Sequence, residues 1–377
     1  MIVATALASG TDASPQLAEN AVNEALQKSG LTHANGVLLF LTPEFTRYAQ
    51  QSVTTVARAA QCVQVAGGIA AGVFTETGWV LDRPAAAVMV FGGNLSLALP
   101  TNADEPVLSY ASGAFPSDWA PAAAGGAQRF GGSFTGSVAH ADPVVWQQSR
   151  LTEHQRCSVQ LSGAHTRIGV SSGLRLLSEA QCIEHGSAYD LQKLGDDSAL
   201  THLQRALGHA YSTHAALPLH HLSALLLDGE DCASAASTQA ALVKGRYRTI
   251  AIIAAQADGS LTLAEGVAPG QYLAWAIRQP VAAENDMRQT LAQLASDTPK
   301  PAAALMFSCI GRGPYFYGGE DRDLDMLRKR FPGLPLLGAY GTGQIAPLDS
   351  AGHHRNRQLQ HAAVIALISQ DPRTTHV

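Results

Sequence analysis

At 377 residues the chain exceeds what one ordinary hydrophobic core holds, so two domains are expected. Apolar residues make up 46% and charged residues 15%, which excludes a disordered chain. The net charge of −5, with basic residues scattered rather than clustered, excludes a nucleic-acid surface and a polybasic membrane patch.

Met1–Ala8 is apolar, but no Lys or Arg precedes Lys28 and the run is too short for a signal peptide, so it reads as the first strand. A helix follows. Ser14 is placed to cap it, Pro15 takes its first position, and Leu17, Ala21, Val22, Ala25 and Leu26 form an apolar stripe that stops at Gly30. Val37–Leu41 is a continuous apolar run, as expected for a strand buried on both faces. Thr42-Pro43-Glu44 opens a second helix, and Val63–Ala66 and Ala85–Phe91 are further strands, each closed by a Gly-Gly pair. The uncharged run Pro84–Ala103 reaches membrane length, but Gly92, Gly93, Asn94 and Pro100 make it strand, turn and strand.

Residues 112–137 are rich in Gly, Ala, Ser and Pro and read as loop. Between 155 and 270 the pattern gives short strands at Ser158–Leu161, Ile168–Val170, Leu222–Leu227 and Thr249–Ala254, a helix near Ser198–Leu207 and a turn at Ala257–Ser260. A helix over 283–296, a strand at Ala303–Phe307, a helix over Glu320–Phe331 and a last strand at Ala362–Ile368 complete the chain. The acidic start and basic end of the Glu320–Phe331 segment suit the helix dipole, and Pro332-Gly333 ends it.

The last third echoes the first. Gly67 and Gly72 match Gly338 and Gly343, each pair following a strand, and Leu273 precedes Gly338 by one residue more than Val3 precedes Gly67. The fold class is therefore α/β: two related α/β subdomains with mixed sheets, duplicated over about 1–91 and 270–368. Small-molecule sites favour the junctions of such units.

Chemistry concentrates in the second copy. Gly311 and Gly313 free the backbone at a strand end, where amides are able to converge on an anion, and Arg312 between them suits a carboxylate or phosphate. The competing reading is a tight turn with Arg312 in a structural salt bridge. Gly338-Ala339-Tyr340-Gly341-Thr342-Gly343-Gln344 suggests backbone close to a ligand, with Tyr340 as a wall, or else glycines packing one subdomain on another. Tyr315 belongs to an aromatic cluster beside the Arg312 turn. Cys309 is a candidate nucleophile with His353 or His354 as base, weighed against a buried inert thiol. The five cysteines, Cys62, Cys157, Cys182, Cys232 and Cys309, show neither C-x-x-C nor zinc-finger spacing, which fits reduced thiols in a cytoplasm. No metal or cofactor motif is read.

Phe307–Gly313, Leu337–Ile345 and His354 before the last strand resemble the FIST family, the F-box and intracellular signal transduction proteins. A looser N-terminal match rests on Leu38–Pro43, Val65–Gly72 and Ile168–Ser171. The resemblance implies a FIST N-type domain over 1–190 and a FIST C-type domain over 191–377. It implies a sensory protein that binds a small ligand, an amino acid or related metabolite, and passes the signal to a partner protein. Gln344 departs from the family's usual Glu, which favours a neutral or anionic ligand. The expected ligand-binding set is Cys309, Gly311, Arg312, Gly313, Tyr315, Gly338, Tyr340, Gly341, Gly343, Gln344 and His354. The alternatives are a cysteine-dependent enzyme using Cys309 and a protein-interaction scaffold.

Overall fold

The computed structural model describes the chain apart from residues 102–104, 114, 121–126, 137–141, 209–216, 228–231, 233, 351–352 and 371–377. The first repeat starts with β1 (Ile2–Ser9) and α1 (Pro15–Ser29), which Gly30 ends in the left-handed conformation at φ 67°. β2 (Gly36–Leu41) is buried throughout, as its unbroken apolar run requires. Thr42-Pro43 then starts a 3₁₀ turn over Pro43–Tyr48, and α2 (Ala49–Ala59) begins only after it, six residues later than expected. β3 (Val65–Ile69), the hairpin of β4 (Gly72–Thr75) and β5 (Gly78–Leu81), and β6 (Ala85–Gly92) complete the unit.

β7 (Ser96–Ala98), β8 (Val107–Ser112), β9 (Arg129–Phe134), β10 (Val145–Gln147), β11 (Arg150–Leu151) and β12 (Arg156–Ser162) follow. β9 lies inside the stretch read as loop: its small residues serve close packing, since a Cβ at Gly131 would stand 1.8 Å from the Ser109 carbonyl oxygen. β13 (Ala164–Ser171) opens the second repeat. The chain then forms a separate compact unit over Ser172–Asp286 before returning. That unit holds β14 (Leu174–Leu176), β15 (Gln181–Ser187), β16 (Asp190–Leu194), β17 (Asp197–Ser198), α3 (Ala199–Leu207), β18 (Leu222–Leu227), α4 (Ala235–Val243), β19 (Arg248–Ala255), β20 (Leu261–Leu263) and β21 (Tyr272–Arg278). Its antiparallel sheet encloses a core of its own around Leu203, Leu226, Ile250 and Trp275. The second repeat resumes with α5 (Pro280–Asp297), β22 (Ala303–Cys309), α6 (Arg322–Arg330), β23 (Leu336–Gly341), β24 (Gly343–Ser350), β25 (His353–Leu359) and β26 (Ala363–Gln370).

Strand order makes the duplication explicit. One sheet runs β1-β6-β2-β3 and continues to β10 and β11; another runs β13-β26-β22-β23 and continues to β4 and β5. In both, the first two pairings are antiparallel and the third is parallel. Register aligns the copies residue by residue. Leu41 opposes Ala86 and Ile69, and Ser308 opposes Ala363 and Tyr340. This places Gly67 against Gly338 and Ala85–Phe91 against Ala362–Ile368, as the sequence echo implies. Both glycines are sterically required: a Cβ would fall 1.9 Å from the Leu39 carbonyl oxygen at Gly67 and 1.9 Å from the Phe74 ring at Gly338.

One expectation is overturned. Leu273–Ile277 is not the counterpart of β1, because it lies in β21, paired with β14, β15 and β18. β13 holds that place, and the 172–286 unit is inserted between the first strand and first helix of the second repeat. The compact division therefore falls at 171/172 and 286/287, away from the 190/191 boundary drawn from the resemblance. A third sheet, β25-β24-β9-β8-β12-β7, belongs to the same unit as both repeats. The inward residues of this unit form one large core that includes Phe40, Tyr110 and Phe307. Among the described residues no helix is long and apolar enough to cross a membrane.

Candidate functional site

In the second repeat the parallel strands β22 and β23 end beneath a polar cluster. Ser171, Ala363, Ser308 and Tyr340 oppose one another in register across β13, β26, β22 and β23, so their side chains share one face of the sheet. Above this row, β22 passes into a 3₁₀ turn over Ile310–Arg312, and Asp321 caps α6 by accepting from the Leu324 N–H at 2.9 Å.

Arg312 is only 2% exposed. Its Nε donates to Asp323 Oδ2 at 2.7 Å and its Nη2 to Asp323 Oδ1 at 3.1 Å. Nη1 and Nη2 donate to the carbonyl and hydroxyl oxygens of Ser171, each at 2.7 Å. The expected anion-binding role is therefore corrected. Asp323, itself fully buried, supplies the anion from within the chain. Tyr317 donates to Asp323 Oδ1 at 2.9 Å. Tyr340 is fully buried, donates its hydroxyl to Asp321 and packs on the Phe74 ring at 4.7 Å, so it is not a ligand wall. Burial, and secondarily the neighbouring Asp323 carboxylate, push the Asp321 carboxyl up to about 6. Burial also raises the Tyr317 and Tyr340 phenols above their ordinary range.

The other expected residues do not surround a common space. A Cβ at Gly341 would meet the Ser133 carbonyl oxygen at 2.2 Å, and one at Gly343 the Gln358 amide at 2.0 Å; both glycines serve close packing. Gly313 lies against the Tyr340 ring. Tyr315 is 66% exposed and donates to Asp82, which raises its phenol. Gln344 is fully buried, opposite Gly132 and Leu359, and neither Oε1 nor Nε2 makes a hydrogen bond among the described residues. His354 stands in β25 opposite Asp349, and its side chain lies outside the described residues. Cys309 does face a histidine, but it is His361 rather than His353 or His354: Sγ is 3.8 Å from Nδ1. Sequence reasoning missed His361 because it stands 52 residues downstream, and only the pairing of β22 with β26 brings it near.

The same strand ends in the first repeat are open. A crevice of about 620 Å³ lies between the end of β1, the start of β6 and the 3₁₀ turn after β2, lined by Ser9, Gly10, Asp12, Glu44, Asp82 and Arg83 among others. Glu44 Oε2 is enclosed there and accepts no hydrogen bond among the described residues. A larger cavity, about 680 Å³, is lined by Lys300, Pro301, Arg330 and Pro332 among others, but it sits at the amino ends of β22 and β23. Open α/β sheets place ligands at the opposite, carboxyl ends.

Residues 199–347 match the family model described as the FIST C domain. The match covers less than half of the chain. The matched stretch includes most of the 172–286 unit and the second repeat from α5 into β24, so Cys309, Arg312, Tyr340 and Gln344 fall inside it and β13 and His361 outside. FIST domains are regarded as sensory modules of signal transduction that bind small ligands. The chain is also similar to an uncharacterized protein of Mycobacterium tuberculosis, at 24% identity over 226 residues covering 59% of this chain and 57% of that protein. It is 25% identical over 243 residues to an uncharacterized protein of Mycobacterium bovis, covering 64% and 60% respectively. The chain thus spans less than two thirds of the relatives it matches.

Proposed function

We propose that this chain is a cytoplasmic small-ligand sensor of the FIST type that holds its ligand in the first repeat, in the crevice bounded by Ser9–Ala13, Glu44 and Asp82–Pro84. The reading rests on one contrast. At matching strand ends, the second repeat satisfies its buried charges internally, whereas the first leaves space and an enclosed carboxylate oxygen without a partner among the described residues. Asp12, Glu44 and Asp82 outnumber Arg83, so the crevice favours the ammonium of an amino acid or related amine, with Arg83 available to a carboxylate. This departs from the neutral or anionic ligand that Gln344 suggested. Occupancy would reach a partner protein by stabilising one arrangement of the loops around the crevice, which requires different affinity for the two states.

Calorimetric titration with a panel of amino acids and small amines tests this. Glu44→Gln is expected to weaken the binding ligand by about 1.5–3 kcal/mol, the worth of a charge-assisted hydrogen bond. Equal affinity in wild type and Glu44→Gln would remove the crevice as the site.

A further inference from the structure

We propose that Cys309 and His361 form a reactive thiol–imidazole pair, a covalent site for small, soft electrophiles that is independent of the ligand crevice. Four observations lead to it. The Cys309 N–H donates to the Ala362 carbonyl oxygen at 3.0 Å, which ties the end of β22 to the turn before β26 and sets Sγ 3.8 Å from the imidazole Nδ1. His361 adopts φ 57°, a left-handed conformation costly for any residue bearing a Cβ, and this holds its ring on the strand end. Gly311 leaves room for the pair: a Cβ there would lie 3.1 Å from Nδ1 and 3.7 Å from Sγ.

The fourth observation is the first repeat, which shows that the fold does not need this pair. Register puts Thr42 at the place of Cys309 and Pro84 at that of His361. There the Thr42 N–H donates to the Ala85 carbonyl at 3.1 Å, and Thr42 Oγ1 accepts from the Ala85 N–H at 2.9 Å. A hydroxyl and a proline close the strand end without any nucleophile or base. Cys309 is 4% exposed, which restricts the site to compact reagents.

The step is an addition. The thiol proton passes to Nδ1 of His361, and the sulfur lone pair forms a C–S bond to the β-carbon of an α,β-unsaturated carbonyl compound. The C=C π electrons move onto the carbonyl, and the resulting enolate takes the proton back from the imidazolium. S–H has added across C=C, with no leaving group and no redox partner.

Iodoacetamide, followed by peptide mapping of the intact full-length protein at neutral pH, is the test. Cys309 is expected to be alkylated faster than the half-buried Cys182, and at least tenfold more slowly in His361→Gln. Gly311→Ala, whose Cβ would stand 3.1 Å from Nδ1 and displace the ring by a few tenths of an ångström, is expected to change the Cys309 rate while leaving Cys182 unchanged. Alkylation of Cys309 slower than that of Cys182 in the wild type, or an unchanged Cys309 rate in either variant that retains the native circular dichroism, overturns the proposal.

Discussion

Phe45 and Arg312 stand at equivalent positions, each four residues beyond the matched strand residues Leu41 and Ser308. Both are buried and both anchor a 3₁₀ turn. Phe45 does so as an apolar plug with no polar obligations. Arg312 does so by donating four hydrogen bonds to Asp323 and Ser171. The difference teaches that polar residues at a strand end of a duplicated fold need not mark a binding site. The apolar copy is the one that leaves a crevice, because its plug packs into the core and carries no charge that draws a counter-charge over it. The ionic copy is filled by its own counter-charge.

The largest expected effect breaks this equivalence. Arg312→Ala strands the buried Asp323 carboxylate and should lower stability to urea unfolding by about 3–5 kcal/mol. Phe45→Ala should cost about as much, 3–5 kcal/mol, through a cavity instead. The double variant Arg312→Met/Asp323→Leu removes both charges together and is expected to recover most of the loss. A loss below about 1 kcal/mol for Arg312→Ala would mean the pair is not the anchor described here.

Much of this architecture was legible in the residues, for a physical reason. Gly67 and Gly338 recur because backbone and ring contacts forbid a Cβ at both, and the runs Val37–Leu41 and Ala303–Phe307 are apolar because helices or sheets cover both faces. Steric demands of that kind leave identical marks in each copy. The candidate site was less legible. Arg312 reads alike as an anion trap or as a buried pair, and its partner Asp323 looks like an ordinary acidic residue in the first turn of α6. Ser171, which also satisfies Arg312, is 141 residues away, and the strand read at Ile168–Val170 gives no sign of belonging to the second repeat, because the 172–286 unit separates it from the rest. Local pattern carries no information about contacts made at that distance.

A second prediction uses protons to sharpen the comparison. Asp321 holds its proton up to about pH 6 in the folded protein, against an ordinary value near 4, so the folded state binds that proton more tightly than the unfolded chain. Its contribution therefore favours folding at low pH and is lost as pH rises from about 4 to about 6, by up to about 3 kcal/mol. Asp321→Asn keeps an oxygen for the Leu324 N–H and carries no proton to lose. The difference in unfolding free energy between wild type and Asp321→Asn should change in this window and be flat above pH 7. A flat difference throughout would show that the carboxyl is not pushed up, and that the second repeat tolerates its buried acids through Arg312 alone.

The smallest expected effect concerns the residues that follow the matched glycines Gly72 and Gly343. The first repeat has Val73 there and the second has Gln344, both fully buried. Gln344 faces Gly132, whose absent Cβ would lie 3.1 Å from the Phe307 ring and 3.3 Å from that of Tyr110, so its amide is directed toward the aromatic centre of the core. With neither amide atom hydrogen-bonded among the described residues, burial of this group opposes folding, and an apolar residue of similar size removes the opposition without opening a cavity. Gln344→Leu should accordingly leave stability unchanged or raise it by about 1–3 kcal/mol, as judged by urea unfolding. The size of the gain measures how completely the amide is deprived of partners. A loss of more than about 1 kcal/mol would mean that Gln344 is engaged in solution, and the second repeat would then have a polar centre where the first has only a packed valine.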